Sequence, residues 1–194
     1  MITMAALAFA VVACASTPPA PPDSTVPVTT LPTQPTTTTP VIPVGYTPLV
    51  DDTDTITIAV PDAWREVNST PFIPEEGTED EGRPSIVAST DIEAFYGGFD
   101  VPGVSFFTIP FQLDPLDVVD EYGLVGGCEK LDVAKYDDPP YVGAIQVGTD
   151  CGPRHMTWNM VVASPADHRF TAIVQVQTTD PDELDVVLGT FGTA

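Results

Sequence analysis

Few side chains in this chain are equipped for chemistry. They are three cysteines (Cys14, Cys128, Cys151), two histidines (His155, His168), and short acid clusters at Asp51-Asp52-Asp54, Glu79-Asp80-Glu81 and Asp180-Asp182-Glu183. A serine hydrolase needs a nucleophile, an imidazole base and a carboxylate in contact. The chain has no G-x-S-x-G elbow, His168 falls in a turn, and His155 stands at a strand start beside Arg154. A zinc site needs about four ligands, and the two histidines lack the paired spacing that would complete Cys128 and Cys151. None of the acid clusters has the Gly-interrupted spacing of a calcium hand, and the third opens a helix, where carboxylates favour the dipole. The expectation is no catalytic residue, no metal site and no cofactor.

Cys128 and Cys151 have a better use. Between them lie two alternating runs, Lys130–Tyr136 and Tyr141–Thr149, hinged at Asp137-Asp138-Pro139-Pro140. Folded about its midpoint as an antiparallel hairpin, the segment sets the two cysteines opposite each other, within the span of a disulfide. The bridge would place Leu131, Val133 and Lys135 on one face of the strand, with Lys130, Asp132 and Ala134 on the other. The aromatics Phe95, Tyr96, Phe99, Phe106, Phe107 and Phe111 either line a pocket for an apolar ligand or fill the core. Core positions are the expectation, as they are for Trp64 and Trp158.

The 194 residues of the chain carry six basic and 28 acidic side chains, a formal net charge of −22. A phosphate binder needs clustered Lys and Arg, so nucleic acid is excluded as a partner. Met4–Ala13 is an apolar run of about ten residues, too short for a bilayer core that needs roughly 20, and it fits the apolar region of a secretory signal peptide over residues 1–13. No Lys or Arg precedes that run, a departure from the usual pattern. From 14 to 48 the chain is dominated by Pro and Thr, with Asp23 as its only charge. That composition predicts a disordered, semi-extended linker, reaching up to roughly 100 Å at about 3.1 Å per residue. An exported compartment also keeps disulfides oxidised.

The residues Val11-Val12-Ala13-Cys14 resemble the bacterial lipobox, in which small residues precede a cysteine that is acylated and becomes the mature N-terminus. The resemblance implies a palmitate-type anchor on Cys14, hence attachment to the outer face of the cell membrane; the alternative is an ordinary secreted protein in which Cys14 is incidental.

From 49 to 194 the pattern is that of one α+β domain, an antiparallel β-sheet packed against helices. Thr55–Val60 and Pro84–Ala88 read as strands, Glu75–Gly82 as a surface loop, and Gly103–Phe111 as a buried strand. Three helices are expected. The first opens at Thr90 with Glu93 three residues on, and carries Ile92, Phe95, Tyr96 and Phe99 on one face. The second is capped by Asp114 before Pro115, with Leu116, Val119 and Tyr122 inward. The third is capped by Asp180 before Pro181, with Leu184, Val187, Leu188 and Phe191 at helical spacing. His155–Ser164 and Arg169–Thr178 form a second hairpin of undetermined register. The stretches VPDAW, PSIVASTDIEAF, GC…YVGA…DCG and RFTAIVQVQTTDPDELDVVLGTF, spanning about Thr53 to Phe191, resemble a domain common in exported actinobacterial proteins. There it stands behind a lipobox or beside serine proteases and receptor-type kinases. That group is similar in fold to PsbP-like proteins, which include Mog and LpqN-type members. The resemblance implies the fold and carries over no catalytic residue.

These readings converge on a lipid-anchored, extracytoplasmic, non-catalytic domain that binds a protein partner or an envelope component. The alternative is an envelope carrier for a small apolar ligand. Metabolic labelling with a palmitate analogue is expected to mark the wild type and leave Cys14→Ser unmarked; equal labelling of both contradicts the anchor.

Overall fold

A computed structural model describes residues 41–73 and 82–194. Cys14, the linker up to Pro40, and residues 75–81 of the acidic loop lie outside the described residues. In chain order the elements are β1 (Tyr46–Val50), β2 (Ile56–Pro61), β3 (Glu66–Asn68), β4 (Ser85–Ser89), α1 (Ile92–Gly97), β5 (Gly103–Ile109) and α2 (Pro115–Tyr122). They continue with β6 (Cys128–Asp138), β7 (Tyr141–Cys151), β8 (Met156–Pro165), β9 (Thr171–Thr178), α3 (Pro181–Thr190) and β10 (Gly192–Thr193). The fold is β-rich, with seven strands in one antiparallel sheet ordered β3-β4-β5-β9-β8-β7-β6 and three in a small sheet ordered β1-β2-β10.

The central strands β5, β8 and β9 are buried at nearly every position because the large sheet is covered on both faces. Side chains alternate between those faces, and the adjacent Phe106 and Phe107 divide accordingly. Phe106, Val104, Val161, Val174 and Val176 join Ile56, Ile58 and Val60 of β2 and Val187 and Phe191 of the α3 segment in one core. Phe107, Met160, Val162 and Ile173 join Val118 and Val119 of α2 in the other. Trp64 lies in the first core and Trp158 in the second. α3 therefore packs on β2 and β9, while α2 packs on β7 and β8.

Two of the three expected caps are as read. Asp114 accepts from the Leu116 N–H and Asp180 from the Asp182 N–H, each at 2.9 Å and each followed by Pro at the first helical position. At α1 the cap is Asp91, which accepts from the Ala94 N–H at 2.9 Å, rather than Thr90. A short charged acceptor one residue later satisfies the same orphan donors better than a hydroxyl. α1 ends at Gly97, with Gly98 as its C-cap, so Phe99 lies beyond it, and Tyr96 is exposed. Leu116, expected inward, is also exposed; Val118 and Val119 fill the core beneath α2 instead.

β1 begins at Tyr46, so the folded part starts three residues before the expected boundary at 49. Its Pro48 is tolerated because β1 is an edge strand, where a missing N–H breaks no ladder. The β1–β2 turn is built on Asp51, one of the acids considered for calcium. Its carboxylate accepts from the Thr53 N–H (2.9 Å), the Thr55 N–H (2.8 Å), the Ile56 N–H (2.8 Å) and the Thr53 hydroxyl. Burial opposes ionisation here, but the bonds from Ile56, Thr53 and Thr55 outweigh it and hold the carboxyl below its ordinary range. A folded-state pKa below the unfolded one gives stability present above the unfolded value of about 4 and lost as pH falls through the folded value. Asp51→Asn is therefore expected to lower stability by about 1–3 kcal/mol at neutral pH, with the gap narrowing in acid. Denaturant titrations from about pH 2 to 7 check this, and a gap independent of pH contradicts it.

Candidate functional site

The hairpin is as the cysteines suggested. β6 and β7 pair without a slip from Cys128↔Cys151 through Lys130↔Thr149 to Asp138↔Tyr141, and Cys128 and Cys151 are bonded. Gly148 makes room for the bridge: a Cβ there would stand 2.8 Å from the Cys128 Sγ and 3.0 Å from the Cys151 Sγ. Phe99 closes the same end by packing on Gly127 and Gly152, whose backbones are joined by an N–H···O bond of 3.0 Å. At the opposite end Pro139-Pro140 makes the turn. There Tyr136 and Tyr141 pack toward Phe191, with ring centroids 6.2 and 4.9 Å away. Burial, with Asp138 beside it, pushes the Tyr136 phenol well above its usual range, so it stays neutral.

The other chemistry-bearing residues do not converge. His155 precedes β8 and His168 follows it, so a ten-residue strand of about 30 Å separates them. His155 is exposed, 3.5 Å from Asp150, and His168 stacks on Phe111 with centroids 4.4 Å apart. Among the described residues, no three His, Cys, Asp or Glu come together as a metal site. Asp180 is occupied as a cap and Glu183 accepts from the Thr178 hydroxyl at 2.6 Å. Phe95, Phe106 and Phe107 are buried, whereas Tyr96 is not.

What the residues alone did not reveal is a groove of about 400 Å³ between the start of α2 and the outer hairpin. Asp114, Pro115 and Leu116 form one wall, and Val133, Lys135 and Ala144 the other. Val133 opposes Gln146 and Lys135 opposes Ala144, which puts them on the face of the sheet that α2 covers farther in. α2 stops short of β6, leaving Leu116 52% and Val133 48% exposed, with Leu113 89% exposed beside the groove's first wall. Gln146 fixes the approach to β6 by accepting from the Leu124 N–H (2.8 Å) and donating to the Leu124 carbonyl (3.0 Å). The groove runs along β6, an eleven-residue strand that is an edge among the described residues, with backbone groups directed outward. Both lysines of the chain stand on that strand, Lys130 against Asp132 and Lys135 against Asp137. That clustering was visible in the sequence, since Lys is a common guard of open edges.

The chain matches no protein-family model and no curated protein in sequence. Among the described residues no helix is long and apolar enough to cross a membrane.

Proposed function

We propose that this chain is an exported, lipid-anchored domain without catalytic activity, whose role is to bind a protein partner or envelope component through the groove between α2 and the β6–β7 hairpin. The reading takes Cys14 as the anchor, the Thr/Pro-rich stretch as a spacer, and the domain as a member of the PsbP-like group. An antiparallel sheet flanked by helices supports that last point. The observation that carries the function is the apolar groove itself. Leu116 on α2 and Val133 on β6, with Leu113 in the bend that precedes α2, are large apolar side chains held in the open beside cores that do not use them. Clustered exposure of this kind marks an interaction surface. The carrier reading has less behind it, because the aromatic residues that would line an internal cavity are mostly core.

A photo-crosslinking residue at Val133 of the full chain in its native envelope is expected to yield one discrete adduct. The same group at Val67, exposed on the opposite edge strand, is expected to yield none, and Leu116→Glu to abolish the Val133 adduct without shifting the denaturation midpoint. Equal adducts from both edges, or none from Val133, overturn the proposal.

A further inference from the structure

We infer that the partner docks by strand addition: an extended segment of another protein, alternating apolar residues with Lys or Arg, pairs antiparallel to β6 and becomes the eighth strand of the sheet. This rests on the reading of the groove as a binding surface and specifies what fills it.

The two edges of the large sheet are unequal. β3 offers three residues, too few to template a partner, whereas β6 offers eleven. An edge strand directs alternate N–H and C=O groups outward, and strand addition uses those groups for affinity and the neighbouring pockets for specificity. β6 is also preorganised. The disulfide holds one end, the Tyr136 ring packs toward Phe191 at the other, and β7 pairs along its length. A strand laid beside it extends the α2 face, and its side chain opposite Val133 enters the groove against Leu116.

Charge selects the occupant. Lys130 and Lys135 are each neutralised by an aspartate on their own strand. Glu129 and Asp138 on β6, Asp114 capping α2 and Asp117 on α2 have no basic partner among the described ion pairs. Asp114 and Asp117 stand on the groove's side of the β6 edge and Asp138, beside Tyr136, on the opposite face, so the edge is flanked by uncompensated acids on both faces, within a chain of net charge −22. A cationic strand is attracted to it, and a second copy of this chain is repelled. The chain's own Ala15–Pro40 is an equally poor match, since its only charge is Asp23 and prolines interrupt it throughout.

The probe is a ten-residue, end-blocked peptide of alternating Val and Lys, titrated into the full chain while amide exchange is followed by NMR. Slowed exchange confined to alternate β6 amides is expected. Replacing the peptide's Lys by Glu, or N-methylating its outward-bonding amides, is expected to weaken binding at least about tenfold. The exposed pair Asp117→Lys and Asp138→Lys, checked for an unchanged denaturation midpoint, is expected to shift preference toward the Glu peptide. Equal binding of the Lys and Glu peptides, undiminished binding of the N-methylated peptide, protection elsewhere on the sheet, or dimerisation of the chain through β6 each overturn the inference. If crosslinking at Val133 captures a partner that lacks a basic extended segment, strand addition fails while the groove's binding role stands.

Discussion

The Cys128–Cys151 bridge is the constraint on which the outer third of this structure depends. Among the described residues β6 has β7 as its one sheet neighbour, and its own residues are mostly exposed and charged. Burial holds the central strands, but little apolar surface holds this one. A proline-proline turn pins register poorly, and a slip of one residue would exchange the faces of the strand. Closing the 23-residue separation covalently removes loop entropy worth about 3 kcal/mol and selects the pairing in which Val133 faces α2. The small residues around the bridge follow from it. Gly148 lies under the sulfurs, and Gly127 and Gly152 admit the Phe99 ring.

From that register the groove follows. With Val133 and Lys135 on the α2 face, the outer hairpin extends that face beyond the reach of a helix only eight residues long. The Gln146 amide grips the backbone of Leu124 and so sets where the chain leaving α2 enters Cys128. An apolar groove and, among the described residues, an unpaired strand edge flanked by acids then lie side by side. Leu116 and Val133 belong to neither core cluster, so this surface is set apart from the packing that holds the sheets together.

The hairpin was legible in the residues because two independent signals agreed: alternation on both sides of a proline turn, and cysteines equidistant from it. The Asp-Pro openings of α2 and α3 were legible for a similar reason, since cap and first-turn preferences coincide there. β1 was hidden because Pro43 and Pro48 make it look like the linker it continues, and only its place at a sheet edge makes Pro48 acceptable. β3 was hidden by its length. Leu116 misled because helical spacing gives a face but not where the sheet beneath it ends. The irregular step in β7 between Gly148 and Cys151, with Asp150 at φ +53°, left no alternation to follow. The groove was illegible for the same reason as Leu116, because it arises from the extent of α2 relative to β6.

Chemical denaturation of the full chain, without reductant, tests the central claim most directly when Cys128→Ser, Cys151→Ser and the double variant are compared. If the two thiols form one bond that holds β6, each single variant loses about the same stability, about 3 kcal/mol, and the double variant loses no more than either. A double variant that loses about the sum of the two singles contradicts the account. The cysteines would then act separately, and nothing covalent would fix the register from which the groove is built.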